Sequence, residues 1–412
     1  MWLAQIVSMT GTQMQVVALN WHVYLLTRSA LALGFVGLTR VLPIIVFSLW
    51  GGVVADRADR RRVLLVTQSV MTLGSLLLAA ITFLGHAPLW TLYALIASQA
   101  AASAFDNPAR QALMPRLVPR VDLPGALSLE LTAFHVAMIG GPALAGLIIA
   151  GGGGGLLPMH HWTSAVGDTT PLALIYLMNT LSFLGVLLAL VTLKTSGAVD
   201  EAQVAGEPAL ESLRAGLRFV MTTPLMVWTM GLDFVATFFS GALSLLPIVA
   251  DKILAVGASG YGWLMAAPAL GALAGSLYTS VRPLPRRQGR VFLAAVAAYG
   301  LFTVGYGLSR SFWLTFVFLA LGGLADLVST VIRRTLRQLI TPDELRGRMT
   351  SVNMIFFMGG PQLGELEAGL VASLFASAAL GVMVSIVSGG VMTIVAGSVV
   401  ALLAPHVREY QG

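Results

Sequence analysis

Ionisable side chains stand inside long apolar runs of this chain, where each charge is costly. A charged residue at the centre of a membrane helix costs about 2.5 to 3.5 kcal/mol to insert, so residues of this kind are candidates for function. The chemistry open to them is ion pairing and the uptake and release of protons. The set is one cation, five acids and one histidine: Arg40, Glu130, Asp233, Asp326, Glu365, Glu367 and His135.

The runs that hold these residues are long enough to be membrane helices. Hydrophobic residues make up 57% of the 412 residues and charged residues 10%, with a mean hydropathy of +0.85. Soluble domains have a very different composition, and about 20 apolar residues span a bilayer as a helix. The sequence therefore predicts an all-α membrane protein with twelve spans, at residues 3–26, 32–55, 63–84, 88–107, 125–150, 171–193, 224–250, 259–281, 290–308, 311–331, 348–374 and 379–404.

The cationic residues lie almost entirely on one side of these spans. Of the 24 Lys and Arg residues, only Arg28, Lys252 and Arg310 fall on the opposite side, and Arg40 falls inside a span. Because cationic loops stay on the cytoplasmic side, we expect a multi-pass protein of the cell membrane with both termini in the cytoplasm. The basic clusters are short hairpins between spans, which argues against a nucleic-acid partner.

The chain repeats itself at an offset of about 222 residues. Arg-Gln-Ala-Leu at 110–113 recurs as Arg-Arg-Thr-Leu at 333–336, and Gly-Gly-Pro at 140–142 recurs at 359–361. The repeat therefore predicts two copies of one six-helix unit. Parallel repeats of this kind place a binding site between the copies, near the middle of the membrane.

The repeat sets the expected domains. We predict an N-terminal six-helix bundle at 1–193 and a C-terminal six-helix bundle at 223–412. The polar stretch 194–222 is then a cytoplasmic linker, and its second part has leucines at helical spacing. We expect that part to form an amphipathic helix on the membrane surface.

Enzymatic and metal chemistry find no support in the sequence. A phosphate-binding loop needs Gly-Lys followed by Ser or Thr, and neither Lys194 nor Lys252 has that context. The polar residues inside the spans lack a catalytic motif, so we expect neither an enzyme nor a cofactor. His160 and His161 have no third ligand at metal-binding spacing and are interpreted as a solvated pair. The absence of cysteine excludes disulfides and thiolate chemistry.

A dense charge cluster separates the second and third predicted spans. Residues 51–62 read Gly-Gly-Val-Val-Ala-Asp-Arg-Ala-Asp-Arg-Arg-Arg. This stretch resembles the loop signature of the major facilitator superfamily of transporters, Gly-x-x-x-Asp-Arg-x-x-Arg-Arg, and lies where that family carries it. The resemblance implies the major facilitator fold, in which two pseudo-symmetric six-helix bundles open to the two sides of the membrane in turn.

The sequence around the fourth and fifth spans indicates one branch of this superfamily. Residues 105–119 and 141–146 look like the branch that contains enterobactin exporters and macrolide-efflux pumps. This implies a monomeric, proton-coupled exporter of small amphiphilic molecules, such as drugs or siderophores, among membrane lipids. A lipid exporter of the same fold and a membrane receptor that does not transport remain alternatives. Span 1 has no acid and the interior of span 4 no arginine, so proton coupling follows from the class alone.

The resemblance also implies a gate on the cytoplasmic side. Asp56 would lie against the N-terminal end of span 11 as a latch; alternatively the loop only enforces topology. Asp106 and Arg110 have the i, i+4 spacing of a helical ion pair, although Pro108 lies between them. The expected gate residues are Asp56, Arg57, Arg60, Arg61, Arg62, Asp106, Arg110, Asp326 and Arg333.

A second gate is expected on the outer side. Arg40 in span 2 and two acids in span 11, Glu365 and Glu367, lie at nearly equal depth. In the superfamily fold these spans face each other, so Arg40 would pair with one of the acids. The alternative is that Arg40 extends to the outer headgroups while the acids bind local backbone.

Asp233 is the leading candidate for proton coupling, and Glu130 and His135 are secondary candidates. Asp233 is far from either end of span 7, and an apolar environment would favour its neutral form. The alternative is a hydrogen bond between helices that never changes protonation. Several polar and aromatic residues are candidates to line a substrate cavity: Gln13, Asn20, Trp21, Tyr24, Trp228, Phe234 and Phe238.

Overall fold

The computed structural model describes residues 2–114, 117–119, 121–151, 169–193, 209–281, 286–342 and 345–411. All regular secondary structure in these ranges is helical. The helices are α1 (Trp2–Thr27), α2 (Ala30–Arg57), α3 (Arg60–Phe83), α4 (Leu89–Leu113), α5 (Leu123–Gly151), α6 (Thr170–Thr192), α7 (Ala209–Thr222), α8 (Pro224–Ser240), α9 (Leu246–Ile248), α10 (Gly257–Val281), α11 (Gln288–Leu308), α12 (Phe312–Ile340), α13 (Arg346–Ser373), α14 (Ala378–Leu403) and α15 (Pro405–Arg408).

The prediction of an all-α membrane protein is confirmed. Nine segments in the described part of the chain are long and apolar enough to cross a membrane. Three further predicted spans are present as the long helices α1, α4 and α13, although they are not among these nine. A helix satisfies its own backbone hydrogen bonds, which is what a bilayer requires of a spanning segment.

The seventh predicted span is a broken helix, whereas the sequence favours one continuous span over 224–250. In the structure α8 ends at Ser240 and is followed by a short 3₁₀-helix (Ala242–Leu245), by α9 and by a π-helical turn (Val249–Ile253). Gly241 stands at the break, and a Cβ there would lie 3.0 Å from the carbonyl oxygen of Pro361. Pro247 restarts the helix, since its ring suits a first helical turn.

The contacts divide the chain into two compact units. The first unit contains Met1–Leu26, Thr39–Ala209 and Gly257–Gly262; the second contains Thr27–Leu38, Leu210–Val256 and Trp263–Gly412. Each unit has its own buried core. In the first, α3 packs on α4 and α6 around Leu64, Leu113 and Leu190. In the second, α11 packs on α12 and α14 around Phe292, Ile332 and Val400.

The helix expected in the linker spans Ala209–Thr222. One face is anchored, because Val220 is buried against Met226, Met230 and Met349. Arg214 and Arg218 are exposed. The first part of the predicted linker, residues 194–208, lies outside the described residues.

Candidate functional site

The second unit contains a cluster of buried charges on α8 and α12. Arg333 of α12 forms an ion pair with Asp233 of α8, and both side chains are nearly buried. A second acid, Asp326, lies near the same arginine and is about half exposed. The distance from Arg333 Nη2 to Asp326 Oδ1 is 3.8 Å. Arg333 also donates hydrogen bonds to Ser329 Oγ (3.2 Å) and Thr330 Oγ1 (2.9 Å). The arginine therefore has two carboxylate partners, and one of them is on another helix.

A small void adjoins this cluster. Its volume is about 10 Å³, and Asp233, Arg333, Arg337 and Asn353 line it together with apolar residues. Arg337 donates a hydrogen bond to Asn353 of α13. A polar void of this size has room for about one water molecule.

The first unit holds a different pair at the equivalent position of the repeat. Asp106 and Arg110 of α4 are joined by two hydrogen bonds, Nη2 to Oδ2 at 2.7 Å and Nε to Oδ2 at 3.0 Å. Pro108 therefore does not prevent the pairing that the i, i+4 spacing predicts. Asp106 also accepts from Thr67 (2.9 Å) and Gln68 (2.8 Å) of α3, and Arg110 donates to Gln5 of α1. Each charged group of the pair therefore has a partner on its own helix and another on a neighbouring helix, α3 for Asp106 and α1 for Arg110.

The first unit also contains a network of neutral polar side chains that the sequence analysis does not predict. Gln15 of α1 accepts hydrogen bonds from Ser75 and Asn179, both at 2.8 Å, and donates to Gln99 at 2.6 Å. These four residues join α1, α3, α4 and α6, and all but Gln99 are fully buried. The signal is present as Gln and Asn inside apolar runs, but the polar residues that the sequence analysis selects on α1 are Gln13 and Asn20 and not Gln15.

The charged loop between α2 and α3 has a clear structural role. Asp59 caps α3, since its side chain accepts from the backbone N–H groups of Arg61 (2.9 Å) and Arg62 (3.3 Å). Arg61 donates to the carbonyls of Leu190 and Val191 at the C-terminal end of α6, where a cation is favoured. Arg60 is buried. The side chains of Asp56 and Arg57 lie outside the described part of the chain, so the latch stays a prediction.

The residues of the predicted outer gate belong to different units. Arg40 is in the first unit and half-buried, whereas Glu365 and Glu367 are in the second. Within the second unit Glu365 packs on the start of α2, where a Cβ at Gly37 would lie 2.8 Å from Glu365 Oε2. Oε2 of Glu367 is buried and accepts no hydrogen bond from the described residues. The pairing with Arg40 stays a prediction.

The structure shows an ion pair between residues near the end of α1 and after α8 that the sequence does not predict. Arg28 Nη1 lies 3.1 Å from Asp251 Oδ2, and Lys252 Nζ lies 3.5 Å from the same oxygen. The sequence places both cations on the outer side but predicts no partner for them. The acid was missed because it lies in the irregular segment after α8, which the sequence assigns to a loop.

The remaining coupling candidates belong to a different unit from Asp233. Glu130 and His135 lie on α5 in the first unit, while Asp233 lies in the second. His135 is partly buried, and its Nδ1 is 2.8 Å from the carbonyl of Leu131. Glu130 lines a cavity at the start of α5. The pair His160 and His161 lies outside the described residues.

The aromatic cavity candidates divide into two groups. Trp21 and Tyr24 are buried, and Trp21 stacks on Tyr261 with 5.4 Å between ring centroids. Phe234 and Phe238 are half-buried and stack on each other at 6.1 Å. The others are held in the interior of their units: Asn20 is buried, Gln13 donates to Met138 and Trp228 packs against the core of the second unit.

Comparison with known proteins finds a matching family model and similar curated proteins. The family model described as "transmembrane secretion effector" matches residues 1–409. The chain is 25% identical over 377 residues to the enterobactin exporter EntS of Shigella boydii serotype 18. The aligned residues cover 92% of this chain and 85% of that protein. The EntS protein of Escherichia coli O139:H28 gives the same identity and the same coverage.

Solved structures share the fold at low sequence identity. A bacterial homologue of the human lysosomal transporter Spinster superposes with a TM-score of 0.74 at 16% identity, over 96% of this chain and 95% of that one. A bacterial homologue of the iron transporter ferroportin gives 0.68 at 16% identity, over 96% and 97% of the two chains.

Proposed function

Since the chain belongs to the transmembrane secretion effector family of the major facilitator superfamily, we propose that it exports small amphiphilic molecules in exchange for protons. The export direction is supported by the curated relatives, which are named as enterobactin exporters. The loop signature at 51–62 and the twofold sequence repeat support alternating access as the mechanism.

The observation that carries proton coupling is the position of Arg333 between two acids. Asp233 on α8 and Asp326 on α12 compete for one guanidinium. When Asp233 takes up a proton, its attraction for Arg333 is lost and the tie between α8 and α12 is weakened. Arg333 keeps Asp326 as a partner, so the change does not leave a buried cation without a counter-charge, which would be strongly destabilising.

The surroundings of Asp233 fit this role. The carboxylate is nearly buried and adjoins the water-sized void described above, which has room for about one water molecule beside it. Proton uptake would then be coupled to movement of α8, the helix that breaks at Gly241 on its outer side. Broken helices near a binding site are common in secondary transporters.

The two gates complete the proposed cycle. Arg40 with Glu365 or Glu367 closes the outer side, and Asp56 on the N-terminal end of α13 closes the inner side. Glu130 and His135 stay secondary candidates for proton transfer. The lipid exporter and the receptor remain alternatives to the exporter of small amphiphiles.

A flux assay separates these functions. The purified protein is reconstituted in liposomes, and movement of ethidium, of a catecholate siderophore and of a fluorescent phospholipid is followed with and without a pH gradient. The proposal predicts that a gradient accelerates the flux of at least one soluble amphiphile and that a protonophore removes the effect. Gradient-dependent movement of the phospholipid alone would indicate a lipid exporter, and no flux of any probe would indicate a receptor.

A further inference from the structure

A cavity of about 350 Å³ lies in the first unit where α1, α4 and α5 meet the end of α6. Its volume falls in the range of about 300 to 1,000 Å³ that suits a drug-sized ligand. Apolar side chains form most of the lining, among them Trp2, Leu113, Leu117 and Leu129. This apolar surface suits the hydrophobic body of an amphiphile.

Among the described lining residues the positive charge is that of Arg110, and it is already neutralised. Arg110 uses Nε and Nη2 on Asp106 and Nη1 on Gln5. An anionic ligand would have to compete with a buried carboxylate for these donors. Arg110 therefore adds no net positive charge to the described part of the lining.

The negative charge in the lining is not neutralised. Glu130 lies two turns into α5, is half-buried and faces the cavity. No hydrogen bond or ion pair joins its carboxylate to any residue that the structure describes. A carboxylate in a largely apolar lining attracts a cation more strongly than one in water does.

The cavity is accessible from the side of α5. Leu127, Leu131 and Phe134, in the first half of that helix, are each about half exposed, at 45%, 58% and 48%. The opposite face of this part of α5 is packed inward, since Ala133 and Ala137 are buried. The cavity therefore borders a helix face that is exposed at the surface of the unit, and a ligand can enter from that side.

We propose that this cavity binds an amphiphile with a single positive charge. The apolar body of the ligand packs against Leu113, Leu117 and Leu129, and its cationic head pairs with Glu130. The proposal rests on the proposed function and makes it more specific, since it names a cationic substrate class and the site where the substrate is loaded. Pairing with Glu130 also disfavours anionic amphiphiles, which the carboxylate repels.

The test is equilibrium binding of tetraphenylphosphonium to the purified full-length protein in detergent, without any gradient. Glu130→Gln removes the charge at nearly constant shape and is expected to weaken binding about tenfold. Glu130→Asp keeps the charge and should stay within about threefold of the unchanged protein. Leu117→Trp fills the cavity and should weaken binding of every probe. Glu409→Gln, at an exposed acid after α15, is the matched control and should have no effect.

A neutral probe shows whether charge is recognised. Triphenylphosphine oxide should bind equally to the unchanged protein and to Glu130→Gln. The proposal is overturned if the protein does not bind tetraphenylphosphonium, or if Glu130→Gln binds it as tightly as the unchanged protein does. Binding with no flux in liposomes would refute the proposed function and leave the site intact. Flux of ethidium with unchanged binding in Glu130→Gln would refute the site alone.

Discussion

Arg110 in the first unit and Arg333 in the second occupy equivalent places in the sequence repeat, yet they are paired in different ways. Arg110 is bound to an acid on its own helix, and that acid accepts from two further side chains. Arg333 is bound to an acid on another helix, with a second acid 3.8 Å away.

The difference can be traced to single positions. Four residues before Arg110 stands Asp106, whereas four residues before Arg333 stands Ser329. Because the serine is neutral, the nearer counter-charge of Arg333 comes from α8 and the more distant one from Asp326. The first unit thus has a saturated ion pair inside one helix, and the second has an exchangeable pair between helices. We infer that the same arginine is a fixed structural element in one unit and a movable one in the other.

The largest expected effect on stability comes from breaking the saturated pair. Arg110→Met leaves Asp106 buried without a cation, which should lower the free energy of unfolding by about 3 to 5 kcal/mol. The double variant Asp106→Asn/Arg110→Met should recover much of that loss, because no charge remains buried. Chemical unfolding in detergent micelles measures both. If Arg110→Met unfolds like the unchanged protein, the pair is not a fixed element.

The next effect should be equal in the two units, because both bring helices together at a glycine. A Cβ at Gly51 would clash with the Ala104 carbonyl, and one at Gly271 would clash with the Ala320 carbonyl. We expect Gly51→Ala and Gly271→Ala each to lower the free energy of unfolding by about 1 to 3 kcal/mol. Gly185→Ala is the control, since it has open space. A large difference between the first two variants would show that backbone packing also differs between the units.

A smaller effect tests whether the neutral network adds to the rigidity of the first unit. Gln15→Leu removes three hydrogen bonds, and such bonds in membranes contribute about 0.6 kcal/mol each on average. The expected loss of unfolding free energy is about 1 to 2 kcal/mol, with the response of flux to a pH gradient unchanged. A loss of the gradient response in this variant would give the network a role in coupling.

The smallest effect is expected at the exposed ion pair of Arg28 and Asp251 in the second unit. Arg28 and Asp251 are partly exposed, with 52% and 30% of their side chains accessible. Exposed ion pairs contribute at most about 1 kcal/mol, so Arg28→Gln should lower the free energy of unfolding by less than that, and high salt should remove the difference. A loss as large as that of Arg110→Met would place this pair among the fixed elements as well.

Much of the fold follows from the sequence because its causes are local. Apolar runs of sufficient length predict the helices, and the i, i+4 spacing predicts the pair of Asp106 with Arg110. The break in the seventh span was missed because its apolar residues continue through Gly241 up to Ala250. Hydropathy reports burial in the membrane and is insensitive to the path of the backbone.

The pair of Asp233 with Arg333 could not be predicted, although both residues were singled out. They lie 100 positions apart, and their contact depends on how α8 and α12 rotate against each other. That rotation is set by side-chain packing over the whole unit. The neutral network has the same origin, since four helices each contribute one residue to it.

The most direct test compares Asp233→Asn with Asp106→Asn in liposomes. The measured quantity is a ratio, the amphiphile flux with a pH gradient divided by the flux without one. The account predicts that Asp233→Asn loses the acceleration by the gradient and keeps the basal flux, because the exchangeable pair can no longer take up a proton. Asp106→Asn should keep the ratio of the unchanged protein. An Asp233→Asn variant that responds fully to the gradient would contradict the assignment of proton coupling to the second unit.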